Sequence, residues 1–282
     1  MTIALAQSLL AEIDKKDKKI KRMQKALKTL TGTDNLESPR KVKEACRLLE
    51  QADPGALGLD LDFTELLEWT AADQRKRVHE RKLAFGRELK ESVENRGVSC
   101  EMITTDPMAF SLPPFTVSVD FDRNLATLHY ARLALEILPA KPDRVLSALQ
   151  KHLKRLEAGW PSEQFFDALY NAYRTRLFEI NGNPGDRIPL PDLLAHVAFS
   201  FQNDKYRADP VAENYRAYGR VRMAYDLSRL RRKGLLQRNG WRLNLGAATG
   251  TSTRNKKAVL FIEDSPGQGQ YYLSIWYVPL DG

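Results

Sequence analysis

Cysteine and histidine are scarce in this chain and scattered where they occur. The two cysteines, Cys46 and Cys100, have no second pair with which to build a disulfide framework, which suits a reducing compartment. The four histidines, His79, His129, His152 and His196, stand apart from one another and from both cysteines, whereas a metal centre needs its ligands clustered at short spacings. Long apolar runs are also missing. The opening MTIALAQSLL has no basic flank before it and is too short for a signal peptide or a membrane span. These absences predict a cytoplasmic protein with no membrane segment.

Catalytic signatures are equally thin. No nucleophile elbow or Ser-His pairing is present. The glycines of Gly246 to Lys257 are not followed by the Lys-Ser or Lys-Thr and the helix that a nucleotide loop requires. Asp120 and Asp122, alternate residues at a strand end, could share a magnesium ion; the alternative is a strand that simply ends at solvent. A two-metal nuclease would need further carboxylates that the sequence does not supply. The expectation is a protein without enzymatic activity or cofactor.

What the chain does have is hydrophobic material, charge and a local excess of base. Its 282 residues are 43% hydrophobic and 28% charged, enough for folded domains rather than general disorder. The formal charge is +8, but between Lys205 and Lys257 fourteen Lys or Arg face three acids, so this segment alone carries +11 and the remainder −3. A polyanionic partner for that segment is the natural reading.

Three regions follow from the periodicities: helical over 1–97, a small sheet with a connecting helix over 98–159, and a third region over 160–282. In the first, Ala6, Ile13, Ile20 and Leu27 mark one heptad seam position and Leu9, Met23 and Leu30 the other, with Lys16 as the exception. This seam predicts a coiled coil or a long docked helix, and with it self-association or a protein partner through residues 3–30. Eight basic residues between Asp14 and Lys28 read as a solvated outer face or as a phosphate-contacting arm. Ser38-Pro39 opens a second helix to about 52, and a third runs from Phe63 to Asn95 with Asp62 as its cap. The three make a helical hairpin. Strands are predicted at 101–104, 115–121 and 125–130 from alternating apolar residues, then helices at 143–157 and 162–180.

The third region continues with a short strand at Arg187 to Leu190, a helix from Pro191 to Phe201, and a further helix from Val211 to Lys233 stopped by Gly234. Leu235-Leu236 and Trp241, Leu243 and Leu245 then alternate on either side of Asn239-Gly240, a dipeptide suited to a tight hairpin. Strands at 258–263 and 271–278 extend the sheet. Over residues 160–246 this order, with a helix ending Leu-Arg-Arg-Lys-Gly-Leu-Leu before a turn, resembles the winged helix-turn-helix superfamily in general. The fold expected is α+β, predominantly α: an amino-terminal coiled-coil hairpin, a small middle sheet and a carboxy-terminal winged helix with an extended β-hairpin.

On an ideal helix Arg222, Arg229 and Lys233 share one stripe, Tyr218, Val221 and Tyr225 an adjacent one, and Arg216, Arg220 and Arg231 a third. A helix of this pattern buries its tyrosines and aims arginines outward, where they read guanine edges or grip phosphates. The expected nucleic-acid contacts are Arg216, Arg220, Arg222, Arg229, Arg232, Lys233, Arg238, Arg242, Arg254, Lys256 and Lys257. This charge pattern predicts a double-stranded DNA binder, nucleoid-associated and, from its composition, bacterial, acting as a regulator or an accessory subunit of a DNA-handling complex. The alternative is a winged-helix and coiled-coil scaffold that docks a partner ATPase without touching DNA.

Overall fold

The computed structural model describes residues 2–265 and 268–280, and the chain is α+β. In chain order the elements are α1 (Thr2–Thr31), α2 (Thr33–Leu36), α3 (Pro39–Glu50), α4 (Thr64–Glu94), β1 (Glu101–Thr105), β2 (Met108–Leu112), β3 (Phe115–Asp120), β4 (Leu125–Tyr130), β5 (Leu133–Pro139), α5 (Pro142–Glu157), α6 (Ser162–Glu179), β6 (Ile188–Pro189), α7 (Leu194–Ser200), α8 (Asp204–Ala208), α9 (Arg220–Arg232), β7 (Gln237–Arg238), β8 (Trp241–Ala247), β9 (Leu260–Ser265) and β10 (Gln268–Pro279). Two compact units form: residues 1–91, 119–126 and 139–142 in the first, and 92–118, 127–138 and 143–282 in the second.

In the first unit the heptad seam divides. Met23 and Ala26 of α1 are buried with Ala45 and Leu49 of α3, and Ile20, Leu27 and Leu30 pack against the same cluster with Phe63, Leu66 and Leu67. The amino-terminal half of the seam has no such cover: Leu9 and Ile13 are exposed, as is Leu10. Ala6 lies outside the described side chains. Asp62 Oδ1 accepts the Thr64 amide at 2.9 Å, the cap expected for α4. Ser38 does precede the first residue of α3, but its hydroxyl makes no capping bond.

The middle strands form a five-stranded antiparallel meander, β1 to β5 in order. Alternation is regular where the sequence alternates: Met108, Phe110 and Leu112, then Phe115, Val117 and Val119, then Ala126, Leu128 and Tyr130 are buried. Two strands, β2 and β5, are not among those predicted, because Pro107, Pro113 and Pro114 flank β2 closely and read as breaks, and β5 follows a turn without glycine. That turn is Ala131-Arg132, whose φ angles of +48° and +63° lie in the left-handed region. Such a turn matches the strand twist but costs a non-glycine residue about 1–2 kcal/mol per position.

In the second unit β10 is the long central strand: β6, β10, β8 and β7 lie in that order, and β9 pairs with β10. Aromatic side chains of α6 cover this sheet, with Phe166, Tyr170 and Tyr173 each 5.0–5.6 Å from the Tyr277 ring. The Tyr173 hydroxyl donates to the Asp186 carbonyl at 2.9 Å and accepts the Gly185 amide at 3.1 Å, which fastens the loop after α6. Asn239 and Gly240, at φ +50° and +78°, make the tight β7–β8 turn the dipeptide predicts.

The last helix begins later than its sequence suggests. Residues 211–219 are not α-helical: a 3-10 turn covers Ala212–Asn214 and α9 starts at Arg220. The physical reason is Gln202, whose amide both accepts from Arg216 N (2.8 Å) and donates to Arg216 O (2.9 Å), taking the backbone groups a helix would have used. At the other end Leu235 N bonds Leu230 O at 2.9 Å and Gly234 sits at φ +67°, a Schellman closure.

Candidate nucleic-acid interface

Helix α9 is set by its buried stripe rather than by its basic one. Asp226 is fully buried, and two arginines bracket it: Arg222 Nε lies 3.2 Å from Oδ2 and Arg229 Nη2 lies 3.1 Å from Oδ1. The Tyr218 hydroxyl donates to Oδ2 at 3.0 Å. Arg222 also donates to the Arg155 carbonyl at 2.6 Å, and Arg229 to the Trp160 carbonyl. Trp160, Phe201 and Tyr218 close over this cluster with ring centroids 4.9–6.3 Å apart. Burial pushes the Asp226 carboxyl above its ordinary value, outweighing the two guanidiniums that favour its charge. Burial likewise holds the Tyr218 phenol well above its usual range.

This corrects the outward stripe. Arg222 and Arg229 face the interior, and only Lys233 of the three is exposed. Three further arginines of the basic segment are engaged within the protein. Arg220 donates to the carbonyls of Lys256 and Lys257, both at 2.9 Å, and to that of Val259, and burial lowers its pKa. Arg238 grips Asp167, Nε to Oδ1 at 3.0 Å, where Asn239 Nδ2 joins it at 3.0 Å. Arg231 pairs with Asp264 and the Tyr272 hydroxyl.

Seven of the expected contacts are exposed: Arg216, Arg232, Lys233, Arg242, Arg254, Lys256 and Lys257. None of them forms an ion pair with a described residue. They fall at the two ends of α9, a helix of about 20 Å at 1.5 Å per residue. Arg254, Lys256 and Lys257 belong to the loop that Arg220 anchors at the amino-terminal end; Arg232 and Lys233 close the carboxy-terminal end, before the hairpin that carries Arg242. Arg216 precedes α9 and does not belong to it.

One cation at this surface is invisible in the sequence. Arg132, on the left-handed turn between β4 and β5, sets its guanidinium 4.3 Å from the Phe261 ring centre and 5.6 Å from that of Tyr271. Lys256 Nζ lies 4.0 Å from the Tyr271 centre. Tyr271 thus carries two cations, each held by the ring's quadrupole rather than by an acid. Phe261 and Tyr271 pack edge to face at 5.1 Å.

Asp120 and Asp122 are both exposed, but Asp120 accepts the Arg123 amide at 3.0 Å and pairs with its guanidinium at 3.6 Å, as a strand-ending carboxylate does. Among the described residues no group of three or more His, Cys, Asp or Glu is placed to hold a metal ion, and no helix is long and apolar enough to cross a membrane. Neither a protein-family model, nor a curated protein, nor a solved structure matches the chain.

Proposed function

We propose that the carboxy-terminal part of the second unit is a winged-helix module that binds double-stranded DNA, in a non-enzymatic regulator or accessory subunit of a DNA-handling complex in the cytoplasm. The observation that carries the reading is the exposed trio Arg254, Lys256 and Lys257, none in an ion pair with a described residue, on a loop whose backbone Arg220 ties to α9. Anchored cations lose less freedom on contacting phosphate than cations on a slack loop. Arg132 adds charge beside them, and Lys233 and Arg242 supply a second contact region about one helix length away. Support also comes from the order of elements, helix, short strand, helices α7 and α9 and hairpin, which is the order the winged-helix resemblance implies, with the short α8 added between the last two helices. On this reading the contact is made by the loop and the helix ends, and Arg222 and Arg229 hold the module together.

The test is fluorescence anisotropy of the full chain with a duplex across a salt series, beside Arg254→Ala, Lys256→Ala, Lys257→Ala in combination. Each lost phosphate contact lowers the slope of log affinity against log salt by about 0.9, so the expected change is about 2–3. No duplex binding by the unaltered chain at low salt would overturn the reading.

A second reading has its own support. Exposed Leu9 and Ile13, with Leu10 beside them, continue the seam of α1 beyond its intramolecular partner, as a segment that self-associates or docks a partner ATPase would. In that case the protein is a scaffold, and its oligomeric state or its partner, not its salt-dependent duplex affinity, is the property to measure.

A further inference from the structure

Within the first unit, α3 and α4 line an open cleft of about 1960 Å³ closed at one end by the β3–β4 turn. Basic side chains line both walls. Arg40, Lys43 and Arg47 recur at helical spacing on α3, where the edge of buried Val42 also reaches the cleft. Arg75 and Lys82 line it from α4, with His79 between them. Between them lie Cys46, Ala71, Val78 and Leu125, an apolar strip interrupted by Thr70 and Gln74.

The carboxylates of the cleft do not cancel this charge, because most already have partners. Glu44 is bound to Arg47 at 2.8 Å, Glu37 to Arg77 at 2.7 Å and Asp120 to Arg123 at 3.6 Å. Arg40, Lys43 and Arg75 form no ion pair with a described residue, and of the lining carboxylates Asp122 is the one left to oppose them. The first turn of α3, through Ser38 and Pro39, also lines the cleft, so the positive end of that helix adds to the same field.

We infer that this cleft binds an acidic amphipathic helix of a partner protein, apolar face on the Cys46–Val78 surface and carboxylates against Arg40, Lys43 and Arg75. A single-stranded nucleic acid fits the charge but not the lining, since such grooves offer aromatic rings to stacked bases and no Phe, Tyr or Trp lines this one. A helix laid in a groove needs an apolar strip between charged rims, which is what α3 and α4 present. The size agrees: ten residues of helix, about 10 Å across and 15 Å long, fill roughly 1200 Å³. This inference is independent of duplex binding by the second unit.

Cys46 gives the test a local readout. In the full chain carrying Cys100→Ser, the rate of Cys46 alkylation is measured with a blocked 14-residue peptide of Leu and Glu in amphipathic register, with a scrambled peptide of the same composition, and with a charge-matched oligothymidylate. The amphipathic peptide should slow alkylation several-fold and the other two should not. Arg40→Glu, Lys43→Glu, Arg75→Glu in combination should weaken peptide binding at least about tenfold, as three reversed surface charges would. Ala71→Glu, at an exposed position, should do the same if the triple variant folds poorly. The combined Arg254, Lys256 and Lys257 alanine variant should bind the peptide normally. Equal protection by the scrambled peptide or the oligonucleotide, or full protection in the charge-reversed chain or in Ala71→Glu, would overturn the inference.

Discussion

Arg222 and Asp226 stand one turn apart on α9 and meet inside the protein, Nε to Oδ2 at 3.2 Å, with Asp226 fully shielded from solvent. Arg229 completes the group, and together they carry two positive charges against one negative, with Arg222 Nη2 and Arg229 Nε lacking partners. Such a cluster is expensive to break from either side.

Removing one member of a buried ion pair leaves the other charge uncompensated and costs about 3–5 kcal/mol. Asp226→Asn, which leaves two guanidiniums without their carboxylate, should lower the stability measured by urea unfolding by an amount of this order, and Arg222→Ala, after which Arg229 still faces Asp226, by less. Lys233→Ala, at an exposed position, should stay within about 0.5 kcal/mol of the unaltered protein. A small effect of Arg222→Ala on stability together with a large one on DNA binding would restore the outward stripe.

A methyl group on Gly159 would lie 1.2 Å from Arg222 Nη2, with no room for either. Gly159→Ala should therefore destabilise by more than about 1 kcal/mol, as overpacking does in a filled interior. Gly219, with open space around it and extended backbone at the start of α9, offers the control. Gly219→Ser should be neutral or raise the melting temperature slightly, by adding a capping hydroxyl.

Glu263 is buried beneath the β4–β5 turn, where the Ala131 amide bonds to it, and burial raises its pKa to about 7 against a lowering by Arg232. The folded state therefore holds a proton that the unfolded chain releases near its ordinary value of 4.5. Stability should be lost as pH rises from about 4.5 to 7, with the full cost present above 7. Glu263→Gln should melt higher than the unaltered protein above pH 7, with the gap closing below pH 5. A constant gap across this range would place the effect elsewhere.

Arg220 separates anchoring from contact. Arg220→Ala should weaken duplex binding several-fold by freeing the backbone of Lys256 to Val259 while leaving the salt slope unchanged, whereas Lys256→Ala should lower the slope by about 0.9. If Arg220→Ala lowers the slope too, the residue touches phosphate directly.

The two halves of α1 should respond differently. Met23 is buried in the helical cluster, so Met23→Ala should cost about 2–5 kcal/mol. Ile13→Glu, on the exposed half, should leave the melting temperature unchanged and affect sedimentation only if α1 pairs with another chain.

Local signals were the reliable part of the sequence. Pro39, Pro142 and Ser162 mark helix starts to within a residue, and Asn239-Gly240 marks its turn, because each acts through its own backbone. Ala131-Arg132 gave no warning, since neither residue favours the left-handed conformation that the paired strands impose. The phase of α9 escapes a helical wheel for a related reason: the wheel treats arginine as an outward residue, but Asp226 occupies the same stripe four residues after Arg222 and three before Arg229. A lone acid between two arginines on one helix face marks an internal charge cluster, and that was the readable clue. The α3–α4 cleft had no such clue, because its walls come from two helices whose pairing the sequence does not specify.

Gln202 has a consequence for how the protein tolerates change. Its amide joins the end of α7, at the Ala198 carbonyl, to Arg216, so the intervening residues leave and return at one point. A loop whose ends are already fastened pays only about 0.6 kcal/mol for each doubling of its length. The stretch from Asn203 to Tyr215 is accordingly the place where residues can be inserted, deleted or replaced by a foreign segment while α9 keeps its position, provided that Gln202 is left intact.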